Sequence, residues 1–281
     1  MGGAVAADVT AAQGARPARG RRRGAPGVVE LGLLSLGGFA AFFGLWFVVA
    51  RSGVVPARFL PAPGVVAATF FHLTHDPFAG YTLQQHLLSS IGRFLMGFAL
   101  AAAAGVPLGL LMGWFRWLDD VVSPVFEGFR FIAPIAWVPF AALWFGTGIG
   151  GPILIIFSGA FPPCVINAQR GARLIEPHLI EAARSLGAGH CRMFAEVLVP
   201  GALPSIVAGL RISAGLAWQS LVGAELIVVS SGVGYLMVQG QSNLATPIVM
   251  SGMIAIGIVG FLIDVALRAA EARIRRGWAG A

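Results

Sequence analysis

Uninterrupted apolar segments of helical length constrain this chain more than any other feature. A hydrocarbon core about 30 Å thick takes roughly 20 helical residues to cross, and Leu31 to Ala50 runs for 20 residues without a charge. Further spans read as Leu88 to Trp114, Phe131 to Phe145, Pro152 to Asn167, Ser205 to Val229 and Pro247 to Leu267. With 57% hydrophobic and 11% charged residues, the 281-residue chain has too few polar groups to cover a water-facing surface. The pattern predicts an all-α, polytopic membrane bundle of about six transmembrane helices.

The placement of charge orients that bundle. The formal charge is +7, and every one of the 19 basic residues is Arg, clustered at Arg16 to Arg23, Arg170 to Arg192 and Arg268 to Arg276, beside the ends of apolar segments. The tail, the 115–130 loop, the 168–204 loop and the C-terminus carry nearly all of the Arg, whereas the 146–151 and 230–246 loops carry none, and the 51–87 segment only Arg51 and Arg58. This is a positive-inside bias rather than a nucleic-acid surface. It places both termini in the cytoplasm of a cell bounded by an inner membrane. Residues 1–27, rich in Ala, Gly and Arg, read as a disordered cytoplasmic tail. An N-terminal transmembrane helix follows over 28–50, longer than the roughly 7–15-residue core of a signal peptide and so uncleaved. Residues 51–87 form a periplasmic or interfacial segment, 88–268 the main transmembrane domain with a cytoplasmic loop at 168–204, and 269–281 a cytoplasmic tail.

Within 51–87, Pro61-Ala62-Pro63-Gly64 leads into VVAATFFHLTH, too short to span, which predicts an interfacial or re-entrant helix. His72, His75 and Asp76 have no further ligand nearby, so no metal site is expected. Cys164 lies in an apolar segment and Cys191 in a cytoplasmic loop, which excludes a disulfide framework. The spans hold many breakers: Gly105, Pro107 and Gly109, then Pro134 and Pro139, then Pro162-Pro163. Lipid tolerates freed backbone groups only where neighbouring helices or a water-lined cavity satisfy them, which suits a transporter; close packing through small residues explains the Gly and Ala equally well.

The most informative segment is IEPHLIEAARSLGAGHCRMFAEVLVPGALP, Ile175 to Pro204. Pro177 suits a first helical turn, and Glu176 and Glu181 favour its positive end. Leu179, Ile180, Ala183 and Leu186 form one apolar stripe, Gly187 stands where a left-handed cap is wanted, and a second helix runs from about Gly189 until Pro200 stops it.

EAARSLG, Glu181 to Gly187, followed after nine residues by VLVP, Val197 to Pro200, resembles the EAA signature of binding-protein-dependent ABC permeases, with Val197 and Val199 in place of the usual Ile and Leu. SSIGRFLMGFALAAAAGVPLGLLMG, FIAPIAWVPFAALWFGTG and AGLRISAGLAWQSLVGAEL are similar to the permeases of the sulfonate, taurine and nitrate importers, a type I importer fold. The resemblance implies that Glu181, Ala182, Ala183, Arg184, Leu186, Gly187 and Pro200 belong to a coupling loop docking on a separate ATPase. It also implies a periplasmic or lipid-anchored solute-binding protein and a second permease copy. The chain lacks the GxxxxGK[ST] phosphate loop and has no Lys at all, so ATP and Mg are expected on the partner ATPase, with no cofactor and no catalytic residue here. A secondary transporter would show paired inverted repeats, and none is evident.

Arg93, Arg211, Glu225 and Asp264 fall in or near spans, where an unpaired charge is costly. Two readings stay open: intramembrane pairing, Arg211 with Asp264 and Arg93 with Glu225, or a place on the substrate path, Arg93 suiting an anionic cargo. Trp218 and Gln219 are further candidates for the path. A small organosulfonate, taurine or nitrate-like anion is the expected cargo, with riboflavin or a pyrimidine precursor as the alternative.

Overall fold

The structure, a computed structural model, describes residues 28–146, 148–227 and 229–279, in two units, residues 1–54 and 55–281. The tail expected over 1–27 lies outside the described residues. The first unit is one helix, α1 (Val28–Arg51). Its large side chains, among them Phe39, Phe42 and Leu45, are exposed, as suits a segment whose solvent is lipid.

The second unit is helical among the described residues, without a strand. Its elements are α2 (Pro63–His75), α3 (Leu83–Trp114), α4 (Arg116–Arg130), a 3-10 turn (Pro134–Trp137), α5 (Val138–Phe145), α6 (Gly150–Arg173), α7 (Pro177–Ser185), α8 (His190–Met193), a π-helical turn (Phe194–Leu198), α9 (Val199–Glu225), α10 (Val233–Ser242) and α11 (Thr246–Ala279). Five helices across the two units are long and apolar enough to cross a membrane, and six if α4 and the Pro134–Phe145 segment count as one bent span.

At the centre lies α6, packed between α3 and α9. Without a hydrophobic driving force between helices in lipid, such contacts depend on close van der Waals approach. Small residues allow it: Ala101, Ala160, Ala214 and Ala217 sit among Phe94, Ile156, Trp218 and Leu221 in one buried cluster shared by the three helices. A second cluster holds Leu110, Ala168, Ala172, Leu198, Ala202 and Ile206. At Gly109 the backbones come closest, since an added Cβ would fall on the Val165 carbonyl oxygen and 2.8 Å from the Ala168 Cβ. Gly105 and Gly109 are therefore contact residues of an unbroken helix.

Three expectations need correction. Residues 115–130 are not a loop: five charges among 15 residues mask a helix whose Leu118, Val122 and Phe126 pack inward at i, i+4, i+8 spacing. The third span is consequently a bent pair, with 87° between α4 and the Pro134–Phe145 segment. Pro200 does not stop a helix, because the π turn before it shifts the Val199 N–H to the Phe194 carbonyl and widens the backbone where the proline ring would clash. Beyond the expected span, α11 continues through Ala279, as the Ala, Glu and Arg residues of that stretch favour. The interfacial helix of the 51–87 segment is α2, whose 13 residues, about 20 Å long, bury Val66 and Leu73.

Candidate functional site

Glu181, Ala182, Ala183 and Arg184 lie on α7, with Leu186 and Gly187 closing it. Pro177 occupies the first turn, and the C-terminus ends in a Schellman arrangement: the Ala188 N–H donates to the Ala183 carbonyl at 3.0 Å and the Gly187 N–H to the Arg184 carbonyl at 2.9 Å. Gly187 has φ +81°, which only glycine adopts without strain. The apolar stripe is left uncovered by the rest of the chain, Leu186 being 87% exposed and Leu179 49%. The segment is nonetheless anchored, because Ile175 on one side and Phe194 and Val199 on the other pack against the cluster of Leu198 and Ala202. Pro200 lies half-buried at the start of α9.

Arg93 and Glu225 meet at the other end of α3 and α9. Arg93 Nη1 donates to Glu225 Oε1 at 2.8 Å and to the Ser231 carbonyl at 2.9 Å, while Nη2 reaches Ser231 Oγ. The Glu225 carboxylate also accepts from Ser90 Oγ at 2.8 Å and from the Gly234 N–H at 3.1 Å. Both residues are buried, and the carboxylate and both Nη groups are hydrogen-bonded. His86, which sequence reasoning passed over, completes the network: its Nδ1 accepts the Gly232 N–H and its Nε2 donates to the Phe78 carbonyl, each at 3.1 Å, which fixes a neutral tautomer. The cluster ties the segment before α10 to α3.

Arg211 and Asp264 join α9 to α11 through a 2.8 Å bond from Nε to Oδ1. Arg268 donates to the other Asp264 oxygen at 2.7 Å and Glu271 lies 3.5 Å from Arg211, so the unit is four charges of zero net sign. Trp218 is core: its indole N–H donates to the Ile256 carbonyl at 3.1 Å and its ring meets Phe94 edge-on.

Gln219, one helical step on, opens elsewhere. It lines a groove of about 660 Å³ between the α4–α5 bend, α6 and α9, where Ser158, Gly159, Asn167, Ser220 and Arg130 also lie. Pro162 and Pro163 offer no N–H to the carbonyls of Ser158 and Gly159, four residues earlier, and all four residues line this groove. None of the intramembrane charges singled out in the sequence reaches it. Arg130 does, and hydropathy hid it inside an apparent loop; the amphipathic spacing of Leu118, Val122 and Phe126 is the signal that locates it.

A family described as binding-protein-dependent transport system inner membrane component matches residues 105–276. The chain is 35% identical to the taurine transport system permease protein of Escherichia coli (strain K12), across 86% of this chain and 88% of that protein. It is 36% identical to a putative aliphatic sulfonates transport permease protein of Bacillus subtilis (strain 168), across 84% of each, and 32% identical to the nitrate import permease protein of Synechocystis, across 73% and 76%. In fold it is similar to a chain of the MetNI methionine ABC transporter solved in an inward-facing conformation, with a TM-score of 0.61 and 21% identity over 68% of this chain and 95% of that one.

Proposed function

This chain belongs to the binding-protein-dependent inner membrane components, as a multi-pass permease of the sulfonate, taurine and nitrate branch of ABC importers, and we propose that it carries a small oxyanion-bearing solute along the Gln219 groove under the control of an ATPase docked on α7. It is a transporter subunit, not an enzyme. The observation that carries the reading is α7 itself, a capped helix held to the core at both flanks yet leaving Leu186 almost wholly and Leu179 half uncovered by the described residues. Exposed large side chains on a rigid, short helix suit insertion into a partner's cleft, and Ala182 permits close approach.

In this reading both termini and α7 face the cytoplasm, a second copy of the chain covers the groove, and a solute-binding protein delivers cargo from the opposite side. ATP and Mg stay on the ATPase. Engagement and release of ATP move α7, and the π turn ahead of Pro200 transmits that movement into α9, since it and the two prolines at 200 and 204 leave that stretch of helix short of regular backbone bonds. The populations of inward- and outward-open states then follow differential binding of ATP and of loaded binding protein.

Substitution of the docking helix tests this. Gly187→Pro removes the φ +81° cap and Ala182→Trp fills the approach, so both chains insert normally but lose ATP-driven uptake and copurify poorly with the ATPase. Wild-type uptake by both, in membranes holding equal amounts of the chain, excludes α7 as the coupling element.

A further inference from the structure

We propose that Arg130 is the oxyanion-selecting residue of the translocation groove, a role resting on the importer reading above. Three contacts fix its depth. Asp119, early in α4, accepts hydrogen bonds from Gln169 and Arg173 at the C-terminal end of α6. One to two turns on, Phe126 packs on Phe161 with ring centroids 6.2 Å apart. Past the end of α4, Pro134 stands against Gly159. The helix α4 therefore runs antiparallel along α6 and delivers Arg130 beside the Gly159 to Phe161 stretch. That is about 20 Å from the α6 C-terminus at 1.5 Å per residue, near the midpoint of a 24-residue helix.

A cation at that depth is expensive unless it serves the path or a fixed partner. Its partner satisfies only part of it. Glu127, one turn back, accepts from Nε at 2.7 Å and is half-exposed, while the guanidinium lies 4.8 Å from the centre of the Phe131 ring. Neither Nη1 nor Nη2 has a hydrogen-bond acceptor among the described residues. Two adjacent N–H groups in a planar fork are the donor set that sulfonate and nitrate oxygens fit, and an ammonium cannot reproduce it.

The groove around it agrees in sign. Of the residues lining it, Arg130 and Arg170 are cationic and none is acidic. Asn167 on α6 and Gln219 and Ser220 on α9 supply neutral polar groups along its other walls. Arg170 stands nearly three turns closer to the α6 C-terminus, so an anion leaving Arg130 in that direction passes a second positive charge. Arg93, the arginine that sequence alone recommends for this task, has its Nη groups committed to Glu225 and Ser231.

The test is ATP-driven uptake of radiolabelled taurine and of nitrate by the complete transporter, permease with ATPase and binding protein, in proteoliposomes, normalised to assembled complex. Whichever probe the wild type carries, Arg130→Gln lowers its uptake roughly tenfold or more, the factor expected for a lost charge-assisted hydrogen bond. Arg130→Lys falls in between, and Glu127→Gln stays within about twofold, since the fork survives without its Nε partner. Arg130→Gln uptake within about twofold of wild type overturns the inference. So does an Arg130→Gln complex that fails to assemble, or a Glu127→Gln loss equal to it, because either makes the arginine a structural ion pair. A wild-type complex that carries neither probe counts against the small-oxyanion cargo proposed above, and against the inference with it, while leaving family membership untouched.

Discussion

Arg93 and Glu225 stand 132 positions apart in the chain and meet in its buried interior at 2.8 Å. Removing one partner leaves the other desolvated and unpaired, which costs about 3–5 kcal/mol, while replacing both by apolar residues is often close to neutral. Glu225→Leu or Arg93→Leu alone should therefore lower the thermal midpoint of the detergent-solubilised chain sharply, and the double variant should recover most of the loss. A double variant that melts no higher than the worse single one would show that Ser90, Ser231 and Gly234, not the ion pair, hold the cluster. At this scale the sequence exposed the charges but not their neighbours. Nothing in the local pattern around His86, Ser231 or Gly232 indicates that they converge, because the convergence is made by the crossing of α3 with the segment before α10. The same holds for Arg211: its partnership with Asp264 is readable from depth along two helices, whereas the participation of Glu271 and Arg268 required α11 to continue past the expected membrane boundary.

Among the elements, the helix pair α3–α6 is the tightest test of how the bundle holds together. Gly109 leaves no room for a methyl group against Val165 and Ala168, whereas Gly92 on the same helix faces open space. Gly109→Ala should destabilise by about 1–3 kcal/mol through overpacking, and Gly92→Ala should be neutral or slightly stabilising, because alanine loses less entropy in a helix. Comparing the thermal midpoints of the two variants checks this; equal midpoints would mean that α3 and α6 do not approach as closely as described. Elements of continuous hydropathy are legible within about six residues of their ends in α3, α6 and α9, and in α11 at its N-terminal end, its C-terminal end lying twelve residues beyond the expected boundary. The ones that were misread have mixed composition. In α4, charges at 116, 119, 120, 127 and 130 interrupt the apolar count while leaving the helical stripe intact. At Pro200 a local rule about proline was overridden by a π turn that removes the clash the rule assumes.

For the whole molecule, sidedness is the property that function most depends on, and two cysteines report it. Cys191 is exposed beside α7 and Cys164 is buried. A membrane-impermeant maleimide should label Cys191 in inverted vesicles and not in sealed right-side-out ones, with Cys164 silent in both; the opposite pattern would place α7 outside and end the ATPase reading. The sequence by itself determined that the chain lives in a membrane, roughly where its five long helices run, which family it joins and where a capped helix sits outside the spans. Each of these depends on the order and spacing of residues near one another, on hydropathy over about 20 positions or on the turn chemistry of a few. Tertiary structure alone decided which charges are spent on one another and which remain for a solute. Arg93 and Arg130 look alike as isolated letters, and only the packing of α4 along α6 and of Ser231 against α3 buries the donors of the first and leaves the fork of the second open to the groove.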